Sequence, residues 1–273
     1  MRSSAGHFFQ HAASFHNPEF YRKQNQRFST FNTPRLVCCF DASDADWLKL
    51  PRGLADEAAQ LIATAGGTLT ITIDLPEPPP IAAHFTGEPA ATQQAAVEAT
   101  TKHPAGTLVA PPGSGKTVMA CALIAHHRTP TAVIVNRAEL LTQWQERLAG
   151  FLDLGDGHVG SLGGGKDRRG HVVDLIMLQT LSHRDAPDDL LDGYGLVIVD
   201  ECHAVGAPGA EAAIRRAKAP RWVGLSATPY RADQMDPVIT MQCGPIRHEI
   251  DDASTFDKHL IVHPTTFTTA SKP

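Results

Sequence analysis

The sequence predicts an α/β fold in which a doubly wound, mainly parallel sheet is covered by helices on both faces. Short apolar runs alternate with stretches of helical periodicity, which is typical of such a sheet. The runs are continuously apolar, as expected of parallel strands that are buried on both sides. A glycine-rich loop also joins the first run to a helix. The runs are TLVA (107–110), TAVIV (131–135), DLIML (174–178), LVIVD (196–200) and WVGLS (222–226).

The other elements follow from local signals in chain order. Residues 35–41, RLVCCFD, predict a short strand, and Pro51 opens a helix that Gly66 and Gly67 end. Residues 68–75 alternate like a second strand, so that this part predicts a small β-α-β unit. Beyond a proline-rich linker at 76–80, helices are expected at 89–102, 116–127, 138–150, 179–192 and 209–218.

These elements divide the chain into four parts. We expect a poorly ordered basic segment at 1–34, the β-α-β unit and linker at 35–80, a nucleotide-binding lobe at 81–250, and a tail or inter-lobe linker at 251–273. Within the lobe, the glycine-rich stretch 160–170 predicts a basic loop.

Composition excludes several classes of protein. Of the 273 residues, 42% are hydrophobic and 19% charged, as in a soluble globular protein. No run reaches the roughly 18 apolar residues that a membrane helix needs. The net charge of −5 excludes a histone-like protein, although residues 1–37 are basic and leave room for a local nucleic-acid surface. The five cysteines form no CxxC pair, which favours a reduced, cytoplasmic chain without a zinc ribbon.

The loop APPGSGKT (110–117) is the strongest chemical signal. Gly113 and Gly115 allow the backbone to turn its N–H groups toward phosphate oxygens, and the following helix adds the positive end of its dipole. Lys116 is expected to reach the β and γ phosphates, and Thr117 to hold Mg²⁺. Ala110 stands where the general pattern has its first glycine. The residues expected to bind the nucleotide here are Pro112, Gly113, Ser114, Gly115, Lys116 and Thr117.

An apolar strand that ends in two carboxylates, LVIVDECH (196–203), is the second signal. A strand end beside a phosphate loop is where a metal-binding acid is needed. We therefore expect Asp200 to hold Mg²⁺ through water and Glu201 to orient or deprotonate the attacking water.

Three motifs taken together, APPGSGKT (110–117), DECH (200–203) and SAT (226–228), resemble those of superfamily 2 helicases of DEAD/DEAH-box type. The xeroderma pigmentosum group B-like and type III restriction-like branches are the most similar, over about residues 85–250. The preceding segment NPEFYRKQNQRFSTFNTPRLVCCFD (17–41) resembles the one before the motor in bacterial helicases of primase–helicase conflict systems.

The resemblance implies a RecA-like fold that uses ATP and Mg²⁺ and moves along nucleic acid. It implies that Gln93 reads adenine and that His203, counted with the catalytic residues, helps to couple ATP hydrolysis to movement. The coupling motif itself is Ser226, Ala227 and Thr228. The residues expected to contact the nucleic-acid backbone are Arg137, Gln143, Gln179 and Thr180. Single-stranded or duplex DNA is the expected partner, with RNA left open.

The sequence departs from the family pattern at three points. Ala90 and Thr92 replace an Arg and an aromatic residue, which leaves adenine selectivity open, and Met177 replaces a Thr. No second RecA-like lobe and no arginine-finger motif are found in these 273 residues. Such a finger is worth about 10³–10⁵ in rate, so we expect slow hydrolysis until a second lobe completes the site, in a longer chain or in trans. The alternative is a non-catalytic nucleotide- or DNA-binding module, a truncated or regulatory helicase fragment.

Structural roles are expected for several more side chains. Trp144 is expected in the core, Arg231 and Asp233 in a local ion pair or cap, and His126 and His127 as cations at a helix C-terminus. For two groups of basic residues the sequence allows two roles, contact with DNA phosphates or a solvent-exposed surface. These groups are Lys166, Arg168 and Arg169 on the glycine-rich loop, and Arg22, Lys23 and Arg27 near the N-terminus.

Overall fold

The computed structural model of the protein describes residues 4–44, 46–70, 72 and 75–251. Its strands are β1 Ser14–His16, β2 Leu36–Cys38, β3 His84–Phe85, β4 Ala105–Val109, β5 Thr131–Val135, β6 Leu152–Asp153, β7 Val159–Gly163, β8 Lys166–Asp167, β9 Val173–Met177, β10 Leu196–Asp200, β11 Arg221–Ser226 and β12 Ile246–Glu249. Its α-helices are α1 Ser4–Ala12, α2 Pro18–Asn25, α3 Ala55–Thr64, α4 Ala91–Thr101, α5 Lys116–His127, α6 Ala138–Phe151, α7 Leu178–Leu181, α8 Pro208–Arg216 and α9 Asp236–Cys243. Short 3₁₀ turns cover Arg52–Leu54 and Cys202–Gly206.

An eight-stranded sheet forms the centre of the fold, in the order β12-β4-β11-β10-β5-β9-β7-β8. Every neighbouring pair in it is parallel except β7 and β8. The mainly parallel sheet predicted from the five apolar runs is therefore confirmed, and each run lies within one residue or two of an observed strand.

Alternate side chains of the central strands enter two separate cores. In β10, Val197 and Val199 pack on the face that carries α7, α8 and α9. Leu196 and Ile198 pack on the opposite face, which carries α4, α5 and α6. Both faces are covered by helices, which explains why the sequence of this strand is continuously apolar.

The N-terminal segment differs from the expectation. Residues 4–34, expected to be poorly ordered, contain α1, β1 and α2. Asn17 caps α2 by accepting a hydrogen bond from the Glu19 N–H at 3.0 Å, and Pro18 occupies the first turn. These are ordinary helix-start signals, and the segment's polar composition obscured them. The strand predicted at 35–41 is confirmed as β2, and it pairs antiparallel with β1.

The expected β-α-β unit lacks its second strand among the residues that the structure describes. Residues 68–70 and 72 are exposed and form no strand pairing, whereas 71, 73 and 74 lie outside the described residues. Alternation stabilises a strand only where one face is covered, and no described element covers this segment. The expected tail at 251–273 also lies outside the described residues, apart from Asp251.

Two further expectations in the lobe were wrong in detail. The helix expected at 179–192 ends at Leu181, and turns follow it. A continuous helix to 192 is disfavoured by Pro187, because it cannot donate a helical hydrogen bond and disfavours helix at the residue before it. The stretch 160–170 is not a plain loop, because β7 and β8 form a hairpin there. Gly164 and Gly165 connect these strands with φ of 58° and 75°, as a two-residue hairpin turn requires.

Candidate nucleotide-binding site

The three chemical motifs meet at one edge of the sheet. The adjacent strands β4, β11 and β10 end side by side, with Ser226 opposite Val109 and Asp200 opposite Leu225. The Ala110 N–H donates to the Ser226 carbonyl at 3.0 Å, which ties the phosphate loop to the SAT motif. Ligands of open parallel sheets bind at this carboxyl edge.

The phosphate loop has the backbone conformation that its glycines predict. Gly113 and Gly115 have φ of 81° and 86°, and no atom lies within 4 Å of where a Cβ on Gly113 would be. Ser114 Oγ is buried and has no hydrogen-bond partner among the described residues. Lys116 Nζ donates to the Ala110 carbonyl at 3.0 Å, so the ammonium group already lies across the loop. Open backbone, a free hydroxyl and a cation fit a bound phosphate group.

Lys116 and Thr117 also open α5, with Gly115 as its N-terminal cap residue. The dipole of this 12-residue helix therefore adds positive potential behind the loop. Pro112 is exposed in the loop, and Thr117 is half-buried in the first helical turn. Six of the seven residues expected to bind the nucleotide lie in this one loop and turn, and the seventh, Gln93, lies on α4.

Gln93 lies against the phosphate loop with both ends of its amide engaged. Nε2 donates to the Ser114 carbonyl at 2.8 Å, and Oε1 accepts from the Ala90 N–H at 2.9 Å. A Cβ on Gly115 would lie 2.4 Å from Gln93 Nε2, the end of a flexible side chain that could move aside, so the positive φ is what requires glycine here. In this arrangement Gln93 braces the loop, and its role toward adenine stays a prediction.

Asp200 is a buried carboxylate held by two donors. The Trp144 indole N–H donates to Oδ2 at 2.8 Å and the Glu201 N–H donates to Oδ1 at 3.0 Å. Burial raises the pKa of Asp200 above its usual value, and the Glu201 charge adds to this, whereas the Trp144 bond and the Lys116 charge oppose it. The site therefore uses Trp144 and Lys116 to favour an ionised Asp200.

Trp144 is the residue of the site that sequence reasoning missed. It was expected in the core, and it is buried there, but its indole N–H reaches Asp200. A usable signal was present, because a buried indole N–H almost always has a hydrogen-bond partner. No local spacing identified Asp200 as that partner, since 56 positions separate the two residues.

Glu201 and His203 lie in the turn after β10. Glu201 has φ of 48°, a left-handed conformation that is costly for a side chain other than glycine. His203 Nδ1 lies 3.3 Å from Glu201 Oε2, but the two are not aligned for a hydrogen bond, and Nδ1 has no partner among the described residues. Arg231 donates to the His203 carbonyl, which attaches this turn to the segment after SAT.

The SAT motif forms a local turn at the end of β11. Ser226 Oγ donates to the Thr228 carbonyl at 2.8 Å and accepts from the Thr228 N–H at 3.1 Å, with Ala227 between them. Arg231 and Asp233 form the expected ion pair at 2.6 Å. The turn therefore lies between the phosphate loop, through Ala110, and the acidic turn, through Arg231.

The residues expected to contact nucleic acid lie farther along the same sheet edge. Gln179 Nε2 donates to the Asn136 carbonyl at 2.6 Å, which joins the ends of β9 and β5. Arg137 is exposed immediately before α6, and Thr180 is half-buried beside Gln179. Gln143 is exposed one turn along α6, and no described contact brings it to the other three.

One expected feature was wrong. His127 was expected to be a cation at the end of α5, but burial lowers its pKa to about 4, and the charges of Arg221 and His126 act in the same direction. This imidazole is therefore neutral at neutral pH.

A phosphate loop, an acidic strand end and a SAT turn on adjacent strands of a RecA-like sheet define the first motor lobe of a superfamily 2 helicase. The chain belongs to the family "Type III restriction enzyme, res subunit", whose model matches residues 86–231, just over half of the chain. The resemblance drawn from the three motifs is thereby confirmed.

Curated relatives agree with this assignment. The chain is 36% identical over 166 residues to the putative DNA 3'-5' helicase Rad25 of Halobacterium salinarum, covering 59% of this chain and 26% of that protein. It is 30% identical over 154 residues to the DNA 3'-5' translocase XPB2 of Sulfurisphaera tokodaii, covering 56% and 34%. The chain thus spans about a quarter to a third of the length of these relatives.

The fold has a similar solved structure, the UvsW helicase from bacteriophage T4. The TM-score is 0.64, and the match covers 89% of this chain and 92% of that chain at 19% identity. It supports the RecA-like α/β fold. Within the described residues, every helix falls short of the length and hydrophobicity that a bilayer crossing requires.

Proposed function

We propose that this lobe binds ATP with Mg²⁺ and hydrolyses it when a second RecA-like lobe completes the site, and that hydrolysis drives movement along DNA. The observation that carries the proposal is the meeting of the phosphate loop, Asp200 and Ser226 on three adjacent strand ends. We further propose that the lobe extends over 81–250, which is supported by the position of β12 beside β4.

In this proposal each side chain has one task. Lys116 exchanges its bond with the Ala110 carbonyl for phosphate oxygens, which stabilises the charge that develops there. Thr117 and Asp200 hold Mg²⁺, which when bound neutralises phosphate charge. Glu201 orients the attacking water or accepts its proton. The His203 carbonyl accepts a hydrogen bond from Arg231, and His203 so links the acidic turn to the coupling segment.

Coupling is proposed to run through the SAT turn. The phosphate loop and Ser226 share a backbone hydrogen bond, and Arg231 joins the same segment to the acidic turn. A change at the phosphates is therefore mechanically connected to the segment that follows β11. This supports the roles of Ser226, Ala227 and Thr228 in transmitting nucleotide state.

DNA is the proposed track, single-stranded or duplex. The support is that three relatives with 30% identity or more are named DNA helicases or a DNA translocase. RNA is the second candidate, because the chain is also 29% identical over 153 residues to a putative ATP-dependent RNA helicase, QP509L of African swine fever virus. Arg137, Gln143, Gln179 and Thr180 are the proposed contacts to phosphates and sugars.

A non-catalytic binding module is not favoured. A lobe that only bound nucleotide with Mg²⁺ would need the phosphate loop and Asp200, but it would not need Glu201, whose proposed task is to act on the attacking water. Lys116, Asp200 and Glu201 are all present and gathered at one edge of the sheet.

Nucleotide binding and turnover by the purified chain test the proposal. Binding of a mant-labelled ATP analogue should require Mg²⁺ and weaken at least about tenfold in Lys116→Ala, because the ammonium–phosphate interaction is lost. Turnover should be slow and should rise with DNA when a second lobe is supplied. Glu201→Gln should keep nucleotide binding but lose turnover. Equal nucleotide affinity in the wild type and Lys116→Ala would contradict the site, and turnover retained in Glu201→Gln would contradict the role of Glu201.

A further inference from the structure

The loop between α2 and β2, residues 26–33, exposes two phenylalanine side chains. Phe31 is 93% exposed and Phe28 is 65% exposed. Burial of a Phe side chain stabilises a fold, and folding leaves that gain almost unused at Phe31 and largely unused at Phe28. We call residues 26–33 the aromatic loop.

The aromatic loop is braced at its base by hydrogen bonds. The Phe28 N–H donates to the Lys23 carbonyl at 2.8 Å, and Lys23 Nζ donates to Thr33 Oγ1 at 2.8 Å across the loop. Asn17 Nδ2 donates to the Pro34 carbonyl at 2.8 Å, which fixes the exit of the loop. Because the base of the loop is already ordered, less conformational entropy is lost when a ligand binds the two rings. The free-energy cost of binding is therefore smaller.

Positive charge surrounds the aromatic loop in a protein whose net charge is −5. Between residues 4 and 40 the sequence has Arg22, Lys23, Arg27 and Arg35 but a single carboxylate, Glu19. Glu19 is bound to Arg22 Nε at 2.8 Å and lies 3.6 Å from Lys23 Nζ. Arg35 donates to the Tyr21 hydroxyl instead of a carboxylate. Arg27 is exposed within the loop and has no carboxylate within ion-pair distance among the described residues.

We propose that the aromatic loop is a binding platform for single-stranded DNA, separate from the contacts of the motor lobe. Unpaired bases stack on aromatic rings whatever their identity, and nearby guanidinium groups meet the phosphates. A second copy of the chain is a poorer occupant, because two such basic surfaces repel each other. The inference rests on the proposed function, because it takes DNA as the track. It adds a second site that binds single-stranded DNA in the absence of ATP.

Fluorescence anisotropy with a labelled thymidine homopolymer, in the absence of ATP, tests the proposal on the full chain. Phe28→Ala combined with Phe31→Ala should weaken binding at least about thirtyfold, because two stacked bases are lost. Phe31→Tyr should keep most of the affinity, since it retains a ring. Arg27→Ala should weaken binding and make the dependence on salt shallower, by about 0.7 in the log–log slope for one lost phosphate contact.

Trp47→Ala is the matched control. Trp47 is 71% exposed but stands among Asp44 and Asp46, which repel phosphate, so its removal should leave DNA binding unchanged. Unchanged affinity in the double Phe variant, an equal loss in Trp47→Ala, or no binding by the wild type overturns the proposal. A change in sedimentation mass of the double variant without a change in DNA affinity also overturns it, in favour of self-association. Binding of the mant-labelled nucleotide is a separate test of the proposed function. The aromatic-loop variants should bind this nucleotide as the wild type does.

Discussion

At the scale of single residues, the site depends on what keeps a buried carboxylate, Asp200, ionised. Asp200 lies at the end of a strand that is buried along its whole length, and burial opposes its ionisation. Two hydrogen bonds and the Lys116 charge act against that cost. The Trp144 indole is thus a positioning group for Asp200, the proposed metal-binding acid, as well as a core side chain.

Replacing Trp144 by Phe removes the indole donor while keeping most of the buried ring. Because the lost bond favours the ionised carboxylate, the pKa of Asp200 should rise further. The acid limb of Mg²⁺-dependent binding of a mant-labelled nucleotide should therefore move to higher pH. Urea unfolding should show a loss of about 1–3 kcal/mol, since a buried acceptor is left with one partner fewer.

Trp222→Phe is the control for this change. Trp222 is also buried, but its indole N–H donates to the Ala219 carbonyl at 2.9 Å. The variant should lose similar stability without moving the acid limb. A shift of the acid limb in both variants would mean that the effect is one of general stability and not of the bond to Asp200.

At the scale of elements, Arg52 is a central link between the N-terminal part, residues 4–64, and the lobe, beside the Arg247–Asp56 ion pair at 2.6 Å and the packing of Leu54 in the core. Arg52 donates to the carbonyls of Gln242, Ile214 and Ala217, and its guanidinium lies 3.9 Å above the centre of the Trp222 ring. No carboxylate within the described residues pairs with it, and burial lowers its pKa to about 10. The contact is therefore made by the planar guanidinium, whose several donors reach three carbonyls at once. A lysine ammonium group cannot reproduce this geometry.

Arg52→Lys should lower the free energy of unfolding by about 3 kcal/mol, measured by urea denaturation, because several charged hydrogen bonds and the stacking are lost together. Arg22→Lys, which keeps an exposed ion pair with Glu19, should change it by less than about 0.5 kcal/mol. Equal effects of the two substitutions would show that Arg52 does not anchor the segment.

The end of α5 predicts a pH dependence of stability. Burial lowers the pKa of His127 to about 4 from 6.5, so the unfolded chain binds a proton more readily than the folded one. Stability should therefore be lost as the pH falls from about 6.5 to about 4. His127→Gln should flatten the melting temperature over this range. His126→Gln should change the slope much less, because the His126 charge is the smallest of the three causes that lower the His127 pKa. A slope unaffected by His127→Gln would contradict the assignment.

At the scale of the whole molecule, the sheet order collects residues that are distant in sequence. Strand β4, which precedes the phosphate loop, lies next to β11, although β5 follows it in sequence. The connection from β4 through α5 to β5 therefore passes over β11 and β10. This crossing opens the carboxyl edge where the nucleotide is proposed to bind. Nucleotide binding should thus stabilise both cores at once, because helices on both faces start from that edge.

A slowly hydrolysed ATP analogue with Mg²⁺ should raise the melting temperature of the chain. At a concentration 100 times the dissociation constant, the linkage amounts to about 2.7 kcal/mol. Lys116→Ala should lose most of this gain, and so should omission of Mg²⁺. An equal rise in the variant would mean that the analogue binds elsewhere.

Much of this arrangement could be predicted from the residues. Continuous apolar runs are sufficient to predict buried parallel strands, and the strand–loop–helix around Lys116 is specific to a phosphate-binding loop. The hairpin at 160–170 was missed although its two central glycines are a hairpin signal. The expected strand at 68–75 failed in the described residues because alternation does not say whether any neighbour will cover the segment.

The amino-acid sequence was therefore sufficient for the class of fold, the phosphate loop, the acidic strand end and the SAT turn, because each is a local pattern whose chemistry depends on neighbouring residues. Three contacts became known only from the folded chain: Trp144 reaches Asp200, Arg52 anchors the N-terminal part, and Ala110 meets Ser226. These contacts join residues far apart along the chain. Their geometry depends on which strands lie side by side, and no local spacing encodes that order.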